Sequence, residues 1–130
     1  MTKRNFLATL LALPPQAIRA QKGRTFLQLN IYERIPEKVL PAYFSAIDRE
    51  YIPAMLKAPG LVSYQRFRHY DLPEKVAVEI WESEEAAKAW HDGEQARAIW
   101  KRAMEGMPRG VGMEHKEPMH SMVHRHYILE

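Results

Sequence analysis

The chain has 130 residues, no cysteine and a formal charge of +3. That length suits one small domain with a core of its own, and the missing cysteine excludes disulfides, thiolate catalysis and cysteine-ligated metal without fixing a compartment. Lys3, Arg4 and Arg19 carry the excess charge; beyond residue 20 the chain has 16 basic and 16 acidic side chains, so composition gives no basic footprint for nucleic acid.

Residues 1–20 read as an export leader. Lys3 and Arg4 form its charged start, Phe6 to Leu13 an apolar run too short to span a bilayer, and Ala20 a small residue before a cut. Thr2-Lys3-Arg4-Asn5-Phe6-Leu7 resembles the twin-arginine signal, with lysine at its first arginine. The expectation is an exported protein, periplasmic or extracellular, whose domain spans 24–130. A loosely packed arm on a cytoplasmic protein is the other reading.

Thr25 to Tyr32 alternates with the period of a strand: Leu27, Leu29 and Ile31 on one face, Phe26, Gln28, Asn30 and Tyr32 on the other. Pro36 and Glu37 open a helix that runs to about Lys57. Leu40, Phe44, Ile47, Tyr51 and Met55 give it one apolar stripe, and Pro53 predicts a kink or early stop near Ile52. Pro59-Gly60 breaks the chain. Leu61 to Tyr70 and Lys75 to Glu82 are strands joined by Asp71-Leu72-Pro73-Glu74, which predicts an antiparallel hairpin. Pairing Tyr70 with Lys75 sets Arg68 against Ala77, Arg66 against Glu79 and Tyr64 against Trp81.

Val76, Val78 and Ile80 alternate with Ala77, Glu79 and Trp81, so the hairpin also has two different faces. Ser83 stands where a helix N-cap belongs, with Glu84 and Glu85 in the first turn. Gly93 divides that helical region, its second piece running from Glu94 to about Met104. Gly106 to Glu117 reads as a loop and Ser121 to Leu129 as a last strand.

The order β-α-β-β-α-β predicts an α+β, ferredoxin-like domain: a four-stranded antiparallel sheet with both helices on one face. No helix is left for the face carrying Leu27, Leu29, Ile31, Phe67, Val76, Val78 and Ile80. An aliphatic sheet face of that size predicts a homodimer packed sheet to sheet.

Pro59-Gly60-Leu61-Val62-Ser63-Tyr64 followed by Val78-Glu79-Ile80-Trp81-Glu82-Ser83-Glu84-Glu85-Ala86 resembles the antibiotic biosynthesis monooxygenase (ABM) family of dimeric α/β-barrel proteins, over about residues 25–129. Tyr51-Ile52-Pro53 before Pro59-Gly60 is similar to the NIPSNAP-like relatives. The resemblance implies a small-molecule pocket between sheet and helices, and cofactor-independent oxygenation of electron-rich aromatic substrates as one activity. Haem degradation is another. For that group the resemblance puts the pocket asparagine on Asn30, the pocket tryptophan on Trp81 and the axial histidine on Trp100, whose indole nitrogen has no lone pair for iron. Haem then needs His91 or a C-terminal histidine instead.

The helix-side face gathers Gln28, Asn30, Tyr32, Tyr64, Arg66, Glu79 and Trp81, with Trp90 and Trp100 approaching from the helix. This is an aromatic-walled site with a few polar groups. Asn30 suits a phenolate or enolate oxygen, Arg66 the anion, and Tyr32 or Tyr64 a proton transfer. We take Asn30, Trp81, Tyr64 and Arg66 as candidate catalytic residues and Gln28, Tyr32, Glu79, Trp90 and Trp100 as substrate contacts, with no cofactor and no metal. The competing reading makes the indoles core and Arg66 with Glu79 a cross-strand ion pair. His124 and His126 share a strand face, but neither they nor His115 and His120 have zinc-motif spacing. Gly-Met-Pro-Arg-Gly-Val-Gly from Gly106 does not match a dinucleotide fingerprint. The activity expected is monooxygenation of a conjugated small molecule; a non-enzymatic ligand-binding protein is the alternative.

Overall fold

The computed structural model describes residues 21, 23–32, 35, 37–107 and 123–130. The leader expected over 1–20, His115, His120, most of the glycine-rich loop and the start of the last strand lie outside the described residues. Four strands form one sheet: β1 (Phe26–Ile31), β2 (Leu61–Arg68), β3 (Lys75–Trp81) and β4 (Val123–Ile128), in the order β2-β3-β1-β4. Every neighbouring pair is antiparallel. With helices after β1 and β3 this is the expected ferredoxin-like α+β fold. Among the described residues no helix is long and apolar enough to cross a membrane.

The alternation of β1 and β3 has the predicted sense. Phe26, Gln28, Asn30 and Tyr32 are buried, as are Ala77, Glu79 and Trp81. Leu27, Leu29, Ile31, Val76, Val78 and Ile80 are only partly covered, and Phe67 is half exposed. The helices therefore lie over the more polar face and leave the aliphatic one open.

A short 3-10 turn (Glu37–Val39) leads into α1 (Leu40–Arg49), and α2 (Tyr51–Met55) follows after a break at Glu50. The stripe Leu40, Phe44, Ile47, Tyr51 and Met55 is buried throughout. The break falls earlier than the expected stop near Ile52. Pro53 has no N–H for the Arg49 carbonyl and its ring crowds that same carbonyl. The chain resolves both by ending α1 at Arg49 and placing Pro53 in the first turn of α2, where an N–H has no helical partner to lose.

The hairpin register also differs from expectation. Arg68 pairs with Lys75, Arg66 with Ala77 and Tyr64 with Glu79, a shift of two residues. The turn is longer because His69 closes it: the His69 amide donates to the Glu74 carbonyl at 2.7 Å. Its Nδ1 accepts from the amides of Asp71 and Leu72 at 3.0 and 2.8 Å. Because side chains alternate with period two, a two-residue shift preserves which face each residue occupies. A bulge between Leu61 and Ser63 then returns Leu61 to a position opposite Trp81.

Ser83 caps α3 (Glu84–His91) by accepting from the Ala86 amide at 3.1 Å. Gly93 separates it from α4 (Glu94–Glu105), as expected. Gly60 fits against the same corner. Its carbonyl accepts from the Glu82 amide at 2.7 Å, its φ is +86°, and a Cβ there would lie 2.5 Å from that of Ala86. Gly60→Ala is predicted to cost about 1–2 kcal/mol for the left-handed backbone, plus the overlap with Ala86. Urea unfolding of Gly60→Ala, Ala86→Gly and the double variant should give a favourable coupling energy from the relieved overlap. Additive values would contradict the contact.

Candidate functional site

The register lines up the helix-side residues in two rows across the sheet. Tyr64, Glu79, Gln28 and His126 make one row; Arg66, Ala77, Asn30 and His124 make the next. Ala77 contributes only a methyl group to the second row, between Arg66 and Asn30. In a sheet packed under helices these positions ordinarily carry aliphatic side chains. Here they carry amides, imidazoles, a carboxylate and a guanidinium.

Glu79 joins them. Glu79 is 3% exposed, so an uncompensated charge there would be expensive. Oε1 accepts from Trp81 Nε1 at 3.0 Å and faces His91 Nε2 at 2.8 Å. Oε2 accepts from Asn30 Nδ2 at 2.7 Å and from Gln28 Nε2 at 3.4 Å. Burial pushes the carboxyl pKa up, but the His91 hydrogen bond and charge, with the Asn30 and Trp81 hydrogen bonds, outweigh it and hold the pKa below its usual value. Glu79 is therefore an ionised acceptor at neutral pH.

The network extends from Glu79 in two directions. Toward the helices, His91 Nδ1 lies 3.4 Å from the Tyr51 hydroxyl, which accepts from Trp90 Nε1 at 3.2 Å. Burial raises the Tyr51 phenol well above its ordinary range, so it stays protonated. Toward the sheet edge, Asn30 Oδ1 accepts from Gln28 Nε2 at 2.8 Å and lies 2.8 Å from His124 Nδ1. Gln28 Oε1 lies 3.2 Å from His126 Nε2, and the His126 ring stacks on Phe26.

Of the residues predicted from sequence, Gln28, Asn30, Glu79 and Trp81 meet in this network, and Trp90 reaches it through Tyr51. Arg66 does not pair with Glu79. It stands opposite Ala77, bridges to Asp48 on α1 through both terminal nitrogens, and donates to the Tyr64 hydroxyl at 3.2 Å. Its guanidinium also sits over the Phe44 ring, 4.4 Å from the centroid. Tyr64 is the cross-strand neighbour of Glu79 instead. Tyr32 packs among Tyr43 and Phe44, and burial raises its phenol pKa strongly. Trp100 lies edge-on to Tyr43 and Tyr51, and its buried Nε1 has no partner among the described residues.

Sequence reasoning left five contributors out of the site: Asp48, Tyr51, His91, His124 and His126. His91 had a usable signal. It stands one helical turn after Ala87, which faces the core. His124 had another, its shared strand face with His126. Asp48 offered none, because its partnership with Arg66 depends on how α1 lies across β2.

Neither Trp100 nor His91 fits the role of a haem axial ligand. The position that the resemblance gives to the axial ligand is Trp100, and both nitrogens of His91 already face protein partners. Among the described residues, no three His, Asp or Glu side chains are grouped to hold a metal ion.

Comparison with known proteins agrees with the fold. A family model described as antibiotic biosynthesis monooxygenase matches residues 35–102, more than half of the chain. That segment includes Glu79, Trp81 and His91 and excludes Gln28, Asn30 and His124. No curated protein matches in sequence. Among solved structures, a conserved protein from Methanosarcina mazei superposes with a TM-score of 0.61 at 13% identity, covering 88% of this chain and 97% of that one. SnoaB from Streptomyces nogalater, a cofactor-independent oxygenase, superposes at 0.55 in a variant form, with 11% identity over 82% of this chain and 93% of its own. Rv0793 from Mycobacterium tuberculosis gives 0.55 at 13% identity, over 83% and 96%. At these identities the superpositions establish the shared fold.

Replacing Glu79 by glutamine is predicted to cost about 3 kcal/mol at pH 7. The carboxylate faces donors on both oxygens, and an amide turned either way sets its NH2 against one pair of them. The acid dependence follows from the lowered pKa. The stabilisation is complete above the ordinary carboxylate value of 4.5, where the unfolded group titrates, and is lost as pH falls toward the folded value. Urea midpoints across that range should fall with acid more steeply for the wild type than for Glu79→Gln. Parallel profiles would contradict an ionised Glu79.

Proposed function

Because the chain belongs to the antibiotic biosynthesis monooxygenase family, we propose that it is a monooxygenase that needs no metal or flavin. Its substrate is an aromatic or otherwise conjugated small molecule with an acidified C–H. The observation that carries this reading is the buried polar surface joined by Glu79 on the helix side of the sheet, linked through His91 to Tyr51, whose ring packs with those of Trp90 and Trp100. Planar rings suit those walls, and a developing oxyanion suits the amide and phenol donors.

The chemistry balances with dioxygen as co-reactant. Loss of a proton from an activated methylene leaves a carbanion, delocalised onto a carbonyl as an enolate. The anion supplies the electrons that reduce dioxygen, and a carbon–oxygen bond forms to give a hydroperoxide after protonation. Loss of water leaves a ketone, so the methylene and one O2 become a carbonyl and one H2O. Asn30 commits one Nδ2 hydrogen to Glu79 and has a second for the enolate oxygen. Tyr64, held by Arg66, is the second donor to that anion. Burial keeps the Tyr64 phenol pKa up despite the neighbouring guanidinium, so it is protonated when needed.

We propose in addition that the open aliphatic face closes a homodimer. Phe67 is 50% exposed and lies on the face shared with the partly covered residues of β1 and β3. Light scattering at micromolar concentration should give a dimer for the wild type and a monomer for Val78→Lys; a monomeric wild type would contradict the interface.

Oxygen uptake with anthrone and dithranol, tricyclic ketones with an activated methylene, tests the reaction. With a chelator present the protein should accelerate quinone formation by about 100-fold over the spontaneous reaction, with one O2 consumed per methylene. Binding of both ketones without added oxygen uptake would overturn the oxygenase reading in favour of a ligand-binding protein. Neither binding nor turnover would overturn both.

A further inference from the structure

We infer that His124 is the general base of this site, held by Asn30 with its proton on Nδ1 and its lone pair on Nε2. The inference rests on the oxygenase reading above, which requires a group to take the substrate proton. The proposed set of donors does not contain one. Glu79 is stabilised as an anion by its donors, which makes it a weak base, and both nitrogens of His91 are engaged.

The tautomer follows from a chain of donors and acceptors. An ionised carboxylate only accepts, so the Asn30 amide must turn its nitrogen toward Glu79 Oε2, 2.7 Å away. Asn30 Oδ1 then faces Gln28 Nε2 and His124 Nδ1, both at 2.8 Å. A carbonyl oxygen also only accepts, so Nδ1 of His124 carries a hydrogen. The 3.4 Å separation of His124 Nδ1 from Gln28 Nε2 is the spacing of two donors that share one acceptor. The orientation of Gln28 agrees, since its Oε1 meets His126 Nε2 at 3.2 Å.

His124 Nε2 is buried and has no hydrogen-bond partner among the described residues. Were it protonated, the ring would be a buried cation with an unsatisfied donor. The groups around it are Glu79 on β3, His91 on α3 and His126 on its own strand. Burial disfavours the cation most, Glu79 favours it, and the two histidines disfavour it, with a net lowering of the His124 pKa. At pH 7 the ring is therefore neutral and Nε2 is an unoccupied acceptor. When a substrate C–H loses its proton to Nε2, the product is an imidazolium beside a substrate anion. The new cation keeps its Nδ1 hydrogen bond to Asn30, which Glu79 holds in place. Asn30 and Glu79 are thus positioning residues for His124 as well as neighbours of the substrate.

The tautomer is tested on the full chain, without substrate, by long-range 1H–15N NMR of histidine-labelled protein at pH 7. The expected spectrum assigns His124 a protonated Nδ1 and an unprotonated Nε2. Asn30→Ala should lose that preference. A protonated Nε2, or an imidazolium, overturns the inference whatever the protein's activity. The role is tested with dithranol: His124→Gln should lose about 100-fold in rate with dithranol binding kept, and lose the rise in rate with pH. Imidazole added to His124→Ala should restore part of the rate, which a structural role would not allow. If the wild type oxidises dithranol and His124→Gln keeps that rate, the base is another group and the oxygenase reading stands. If the wild type does not oxidise it, that reading falls and the base role falls with it.

Discussion

A carboxylate inside the core is the constraint on which this structure depends. Glu79 lies at the centre of the sheet, almost without solvent, and stays ionised because Trp81, His91, Asn30 and Gln28 supply the hydrogen bonds that water would otherwise give. Each partner is fixed in turn. Trp81 is held at the end of β3, His91 by the helix that Ser83 caps, and Asn30 by the neighbouring strand. The charge therefore sets amide orientations on β1 and imidazole contacts on α3 and β4. A neutral core of the same size would fix none of these.

The same choice accounts for the two faces of the sheet. Helices normally cover the apolar face and leave the polar one to water. Here Gln28, Asn30 and Glu79 are covered, while Leu27, Leu29, Val78 and Ile80 are left partly open. The helices thus enclose a polar surface and leave an aliphatic one partly exposed. The Arg66–Asp48 pair ties β2 to α1 at the edge of the enclosed face.

Much of the fold was legible in the chain itself. Period-two alternation assigned both faces of β1 and β3 correctly, and Ser83 and Gly93 marked the helix boundaries they form. What escaped were quantities set by contacts distant in sequence. The hairpin register moved by two because the His69 ring satisfies loop amides, which no alternation pattern reports. The helix break moved to Glu50 because proline acts on the carbonyl four residues back. In the site, Gln28, Asn30, Glu79 and Trp81 were found from their shared face. His91 and His124 were not, because their partners lie on other elements and only the sheet order brings β4 beside β1. Arg66, expected opposite Glu79, is set opposite Ala77 by the register shift, and α1 supplies Asp48 as its partner.

The account stands on Glu79 being charged where it is buried, and a carboxyl-carbon NMR titration of that side chain observes this directly. It predicts that the Glu79 resonance remains in its ionised position through 4.5, the ordinary glutamate value, and changes only at lower pH. A Glu79 resonance that titrates at or above that value would contradict it, because a protonated carboxyl would neither orient Asn30 nor require its four donors.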